Sequence, residues 1–458
     1  MAKNHRAITF LGILLLIAAN IARANNPPQQ PVQDVWMTVF VHGIMSIKPH
    51  ISLSNFARFM TDDVQNTVYS TTVELMRQDP IFFQNQAMQE VGLKKIATDR
   101  VEKGYSSGAM ALSFEEIAQF AQPDTTPHYY YTYGWSGLLS PKRRYIDAKL
   151  LYIDLGNEIA SLQTQGLNPK IRLIGYSHGG NVLLNLGKIH QEEPTLPSFT
   201  IDQLVLLGTP IQHETDYLIN DPIFACIYHI YSLDDRVQKL DFFSFNRFFS
   251  GRVFKSRRDF ELPDKLVQIQ LKCSRDLRFK KTDDPKLLTA SAHKKSRPKK
   301  LRNASPGHSE LWFFSWTPQN YRTHFPLNPL PLASLVPLII QQADTFCPPT
   351  LQEKPALLLD IRPNYEVIVV KNKNNQQVLS ISKFLSRSEF ANLSEKVLAF
   401  KPENYTAQRY NDGIKTAYLQ ATKLRHHEGI ALKHARKERI RVQNKRLLEE
   451  KELFFATS

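Results

Sequence analysis

Ile171-Arg172-Leu173-Ile174 is a short apolar run that stops at Gly175-Tyr176-Ser177-His178-Gly179-Gly180, and Asn181 to Ile189 continues with helical character. A strand that turns straight into a helix leaves one residue at the corner. Here that residue is Ser177, in a Gly-x-Ser-x-Gly pattern. The corner forces a strained backbone and an exposed hydroxyl, and side chains at Gly175 or Gly179 would collide with neighbouring backbone. The following helix N-terminus sets partial positive charge and N–H groups beside that hydroxyl. Ser177 is therefore a candidate nucleophile.

The flanking sequence alternates in the same way. Val35 to Val41 reads as a buried strand ending at His42-Gly43, and His128 to Tyr133 as an aromatic strand ending at Gly134-Trp135. Gln203 to Leu207, Ile223 to Tyr231 and Lys265 to Leu271 read as further strands. Residues 50–122 carry helical periodicity in pieces, such as Phe56, Phe59, Met60 and Val64, then Phe114, Ile117 and Ala118, with Pro80 between them. Tyr145 to Leu162 reads as an amphipathic helix with Ile146, Leu150, Ile153, Ile159 and Leu162 near one face. Strands alternating with helices imply an α/β fold, a mostly parallel sheet with helices on both faces.

A boundary near Pro348-Pro349 separates residues 25–349 from 350–458. In the second part Ala356 to Asp360, Tyr365 to Lys371 and Gln377 to Ser382 read as short strands. A hydrophilic helix follows from about Gln408, its apolar positions thinning after Leu432. Leu327 to Ile340 is apolar, but Pro329, Pro331 and Pro337 exclude a spanning helix there.

A composition of 42% hydrophobic and 22% charged residues excludes a disordered chain, and 18 Gly with 3 Cys in 458 residues excludes collagen-like and disulfide-scaffold classes. Residues 1–24 read as a secretory signal: Lys3 and Arg6, an uncharged run from Ala7 to Ala22, and a cleavage site at Ala22-Arg23-Ala24. Cleavage would deliver an exported chain, periplasmic or secreted. The alternative is an uncleaved signal that anchors it to the membrane. Export permits disulfides. A Cys273–Cys347 bridge is one arrangement, with Cys226 read as a core residue. No CxxC or His/Cys cluster has zinc spacing, so no metal is suggested.

The net charge of +15 is concentrated in two segments. Lys272 to Arg302 holds 12 basic and 3 acidic residues, and Asn404 to Ser458 holds 12 basic and 6 acidic, so the remainder is neutral. Such segments favour anionic partners, a membrane or envelope surface above all. They lack interleaved stacking aromatics, which argues against nucleic acid.

On Val39-Phe40-Val41-His42-Gly43, Tyr133-Gly134-Trp135-Ser136-Gly137, the Gly175–Gly180 stretch and Leu207-Gly208-Thr209-Pro210, the sequence resembles the α/β-hydrolase superfamily, and within it the lipase/esterase-like members, over about residues 35–345. The resemblance implies a Ser–acid–His triad in that chain order and no cofactor. Ser177 would be the nucleophile. The oxyanion hole would be the backbone N–H of His178 and that of Ile44, in the loop after the first strand. His178 would act through its backbone, with its imidazole structural.

The family places its acid three residues after a small turn residue and two before an apolar one. In Ser232-Leu233-Asp234-Asp235-Arg236-Val237 this selects Asp235, with Asp234 the alternative and Asp241 a third. His308, in Pro306-Gly307-His308-Ser309-Glu310-Leu311-Trp312, is the base in preference to His293 and His324.

Two departures stand out. The basic 272–302 segment precedes His308 as an insertion and should lie near the active-site mouth. Residues 46–127 exceed what a minimal fold needs, and would form a lid or acyl-binding cap, or else a peripheral helical decoration. The expected function is an exported serine hydrolase acting on carboxylic esters of lipid-like acyl groups. The alternative is a binding or anchoring protein, non-catalytic or weakly catalytic, that attaches to anionic surfaces through its basic tail.

Overall fold

β1 (Gln33–Val41) pairs in parallel with β3 (His128–Gly134) on one side and β4 (Leu167–Tyr176) on the other in the computed structural model. From β4 the sheet continues in parallel through β5 (Ile201–Leu207), β6 (Phe224–Ser232), β7 (Leu266–Cys273) and β8 (Leu357–Ile361). Antiparallel strands flank both sides: β2 (Gly92–Lys95) beside β3, and β9 (Val367–Asn372) then β10 (Val378–Ser382) beyond β8. The order is β10-β9-β8-β7-β6-β5-β4-β1-β3-β2. The structure describes residues 33–45, 62, 64–121, 126–235, 250–273, 306–318, 321, 325–347, 357–361, 367–372, 378–382 and 386–456. The signal sequence, Pro348-Pro349, residues 46–61 and nearly all of the 272–302 segment lie outside these, as do Asp241, His293 and His324.

Successive side chains of a strand face opposite ways, and both faces are covered. Met37, Val39 and Val41 of β1 and Leu173 of β4 pack with Leu151 and Leu155 of α3 (Pro141–Thr164) and Leu183 and Leu186 of α4 (His178–Glu192). Phe40, Ile174 and Val205 face the other way. There they meet Phe114 and Ile117 of α2 (Ser106–Ala121), Ile339 and Ile340 of α5 (Val336–Phe346) and Phe390 and Leu393 of α6 (Arg387–Leu398). Val39 to Val41, Leu173-Ile174 and Leu204 to Leu207 are apolar at successive positions because a parallel strand is buried on both sides. α1 (Val68–Gln78) precedes α2 and packs against the first part of α7 (Ala407–Ala456). Parallel strands joined through covering helices form an α/β-hydrolase-like architecture.

Several expectations change. α2 is neither a lid nor a peripheral decoration: Met110, Phe114 and Ile117 are wholly buried against the sheet and α5. The strands beyond residue 350 continue the main sheet, because β8 pairs in parallel with β7. In α3 the buried stripe runs through Arg144, Ala148, Leu151, Leu155 and Ile159, while Leu150 is exposed. The helix is rotated from the face its isoleucines suggested because Arg144 and Asp147 are committed to buried polar contacts described below. Pro337 stands in the first turn of α5, where its missing N–H has no helical acceptor to lose. Cys226 is half-buried on β6 and Cys347 is buried just after α5, while the side chain of Cys273, and with it the Cys273–Cys347 bridge, lies outside the described residues.

Candidate active site

Ser177 occupies the corner between β4 and α4 with φ 53° and ψ −131°, a region closed to most side-chain-bearing residues. Its N–H donates to Leu207 O at 2.9 Å, which ties the corner to the end of β5. A Cβ at Gly179 would stand 2.3 Å from His42 O, so glycine there lets the start of α4 approach the loop after β1. A Cβ at Gly175 would stand 2.8 Å from Gly180 Cα and from Leu183 Cδ1.

The three residues expected to form a triad come from three separate elements. His308 Nδ1 donates to Asp235 Oδ2 at 2.7 Å, which leaves Nε2 to accept from the Ser177 hydroxyl at 3.0 Å. Asp235 follows β6 and is wholly buried. Asp234 is part-exposed, its N–H bonded to Ser232 Oγ at 3.3 Å, and the structure does not bring it to His308 in place of Asp235.

Each partner is held from behind. Arg252 donates from Nε and Nη2 to Asp235 O at 2.9 and 2.7 Å. Ser232 Oγ donates to Pro306 O at 2.5 Å and so joins the end of β6 to the segment that delivers His308. The Tyr176 hydroxyl donates to His308 O at 3.1 Å, while its ring stacks on Trp312 at 5.3 Å. Gly208, at φ +57°, fits beneath this assembly: a Cβ there would meet Leu311 at 2.7 Å and Asp235 Oδ2 at 3.0 Å.

The loop carrying Ile44 is fastened by His42. The His42 ring is buried, donates from Nδ1 to Gly43 O at 2.6 Å and accepts at Nε2 from Arg77 Nη1 at 2.7 Å. Burial first, then the Arg77 charge, hold the His42 pKa well below the usual imidazole value, so the ring is neutral at pH 7. Trp135 stacks on it at 5.6 Å and donates its indole N–H to His42 O at 2.6 Å. The Ile44 N–H has no acceptor among the described residues.

The His178 imidazole accepts from Arg144 Nη1 at 2.9 Å, and Arg144 Nη2 donates to Gln212 Oε1 at 3.1 Å. Nearby, Asp147 accepts from Ser136 Oγ at 2.5 Å and pairs with Arg143 at 3.1 Å. Burial raises the Asp147 pKa against those favourable contacts. Burial also lowers Arg77 to about 10, opposed by the Asp147 charge.

The arrangement has the parts for acyl transfer: a hydroxyl at a strained corner, an imidazole with one nitrogen on that hydroxyl, a buried carboxylate on the other nitrogen, and two backbone amides at the corner and the facing loop. Sequence reasoning missed Arg77, Arg144, Arg252 and the part played by Gly208. The arginines carry no local motif, because each acts across a gap of dozens of residues or from a loop. Gly208 stands in the Leu207-Gly208-Thr209-Pro210 stretch, where a glycine directly after an apolar strand end is the available signal. Among the described residues no cluster of His, Cys, Asp or Glu could hold a metal ion, and no helix is long and apolar enough to cross a membrane.

No protein-family model matches the chain, and neither does any curated protein. Among solved structures, a candidate cell-surface hydrolase from Lactobacillus plantarum WCFS1 matches at 14% identity over 58% of this chain and 95% of its own, with a TM-score of 0.22.

Proposed function

We propose that this chain is an exported serine hydrolase that cleaves carboxylic esters with lipid-like acyl groups. The observation that carries the proposal is the continuous hydrogen-bonded run from Ser177 Oγ through His308 to Asp235, at 3.0 and 2.7 Å. In this mechanism His308 Nε2 takes the hydroxyl proton as Ser177 Oγ bonds to the ester carbonyl carbon. The oxygen of the tetrahedral intermediate is held by the N–H groups of Ile44 and His178. His308 then gives its proton to the departing alcohol, leaving an acyl-enzyme. Water, deprotonated by the same nitrogen, releases the acid and restores Ser177. Asp235 fixes the imidazole tautomer and stabilises the imidazolium.

The acyl preference follows from the resemblance to lipase-like enzymes and from the basic segments, which suit substrates at anionic surfaces. A second reading, a weakly catalytic attachment protein, is favoured by the basic α7.

Fluorophosphonate labelling of the mature chain tests the proposal. Wild type should label, and Ser177→Ala and His308→Ala should not. Turnover of p-nitrophenyl esters of graded length should rise with acyl chain. Labelling of Ser177→Ala would refute the nucleophile, and equal turnover of the shortest and longest esters would refute the lipid-like acyl group.

A further inference from the structure

α7 is 50 residues long, about 75 Å at 1.5 Å per residue, and among its described side chains the buried ones all lie near its beginning. Tyr410, Ala417 and Ala421 are buried, and Ile414 packs with Tyr410 and Ala417 against Phe82, Val73 and their neighbours. The Tyr410 ring meets Phe82 at 5.1 Å, beyond the C-terminal end of α1. Arg425 reaches Thr71 Oγ1 at 2.6 Å and Asn66 Oδ1 at 3.5 Å, around the start of α1. The two helices are therefore antiparallel, and α7 runs out past the N-terminus of α1. That end lies beside the start of α3, where Asp62 accepts from Lys142 N–H at 2.7 Å. α3 itself begins just after the loop that leaves the C-terminal end of β3, on the same side of the sheet as Ser177. From residue 426 onward no described side chain is buried.

The free part has a distinct chemistry. Lys423 to Arg446 holds nine basic and two acidic residues, a net charge of +7 over about 36 Å of helix. Five of the basic residues, Lys433, Arg436, Lys437, Arg439 and Arg441, fall within nine positions. Exposed Leu424, Ile430 and Val442 are spaced along it, and the helix ends in Leu453-Phe454-Phe455. Clustered basic charge with an aromatic apolar tip suits attraction to a charged bilayer surface. Stacking aromatics, which a single-stranded nucleic acid would require, are absent from the sequence of the basic stretch.

We propose that the distal part of α7, residues 426–456, is a docking arm for an anionic lipid bilayer, held on the body through α1 at the candidate active-site edge of the sheet. For a lipid-like ester the arm would bring the site to its substrate. That purpose rests on the function proposed above, whereas vesicle binding is read without turnover, so the two fail separately.

The test is co-sedimentation of the full mature chain with phosphatidylcholine vesicles, with or without phosphatidylglycerol. Wild type is compared with a variant in which Lys433, Arg436, Lys437, Arg439 and Arg441 are all changed to Gln, and with a chain ending at Gly429. Wild type should partition to phosphatidylglycerol vesicles and be released by salt. The neutralised variant should partition at least about a hundredfold more weakly, as five lost basic residues imply. Both altered chains should keep wild-type thermal unfolding and wild-type turnover of a short soluble ester. Equal partition to both vesicle types, or undiminished partition of the neutralised variant, would overturn the proposal. So would tighter binding to duplex DNA than to phosphatidylglycerol vesicles at the same salt.

Discussion

Arg77 and His42 lie 35 residues apart in sequence and 2.7 Å apart in space, with the guanidinium Nη1 donating to Nε2 of the imidazole. The contact decides which His42 nitrogen keeps the proton. With Nε2 accepting, Nδ1 must donate, and it does so to Gly43 O at 2.6 Å. A helix belonging to the long segment between β1 and β3 thereby sets the conformation of the loop that presents Ile44. Trp135 reinforces the same loop from β3 through its bond to His42 O.

Arg77→Met should therefore act on the rate rather than on substrate capture. Removing the guanidinium leaves a buried imidazole nitrogen without its donor and frees the ring to change tautomer. Loss of a whole oxyanion donor costs about 10²–10³ in kcat, and a displaced one less. The expected result is a fall of about ten- to a hundredfold in kcat on a short ester, with KM little changed. Steady-state kinetics and the rate of fluorophosphonate labelling both measure it. A change confined to KM would remove Arg77 from the support of the loop.

Asp235 and Asp234 are neighbours in sequence and opposites in environment, one wholly buried on His308 and the other part-exposed. Asp235→Asn should leave the fold intact and lower kcat by about 10⁴, because the amide presents the wrong partner to Nδ1. Asp234→Asn should leave kcat within a few-fold. The two variants assayed side by side assign the acid, and the reverse ranking would transfer the role to Asp234.

Much of this was legible in the sequence because it is local. The strand–serine–helix corner, the parallel strands and the segments containing Asp235 and His308 each announce themselves over ten residues or fewer. What was not legible is what depends on contacts between distant segments. β2 is a four-residue strand that among the described residues pairs with β3 alone, and its sequence, Gly-Leu-Lys-Lys, has no apolar alternation. α6, by contrast, carries local signals, the Ser386/Glu389 capping box and Phe390, Leu393 and Val397 at helical spacing. The face of α3 was misread because hydrophobic periodicity cannot foresee that an arginine and an aspartate will be buried. Arg144 is inward because His178 and Gln212 receive it, and Asp147 because Ser136 and Arg143 do.

Gly208 offers a sharper test of the packing behind the site. Its φ of +57° costs a β-carbon-bearing residue about 1–2 kcal/mol, and the added carbon would press on Leu311 and on Asp235 Oδ2. Gly208→Ala should lower stability by at least that amount in urea unfolding. It should also depress kcat, since the displaced atom is the one bonded to His308. A variant that loses stability but keeps wild-type kcat would show that Leu311 alone absorbs the strain.

His229 gives a pH dependence that can be assigned to one residue. It lies on β6 with no exposed surface, its ring stacked on Tyr231 at 5.7 Å and edge-on to Phe254 at 5.1 Å. Burial lowers its pKa to about 4, opposed by the nearby Gln268 side chain and the Thr209 backbone. The unfolded chain takes up that proton near pH 6.5. Between these values the unfolded state holds more protons than the folded one, so stability falls as pH falls from about 6.5 toward 4 and is unaffected by this group above pH 7. At pH 4.5 the loss from this group amounts to about 2–3 kcal/mol relative to pH 7. His42, also buried neutral, adds a loss of the same sign. His229→Phe removes the group without emptying the space. Its urea unfolding free energy should drop less between pH 7 and pH 4.5 than that of wild type, by about 2–3 kcal/mol. The comparison is between the two pH differences, so any cost of repacking around Phe cancels. Parallel curves for the two proteins would mean that His229 enters the folded protein with its ordinary affinity for a proton.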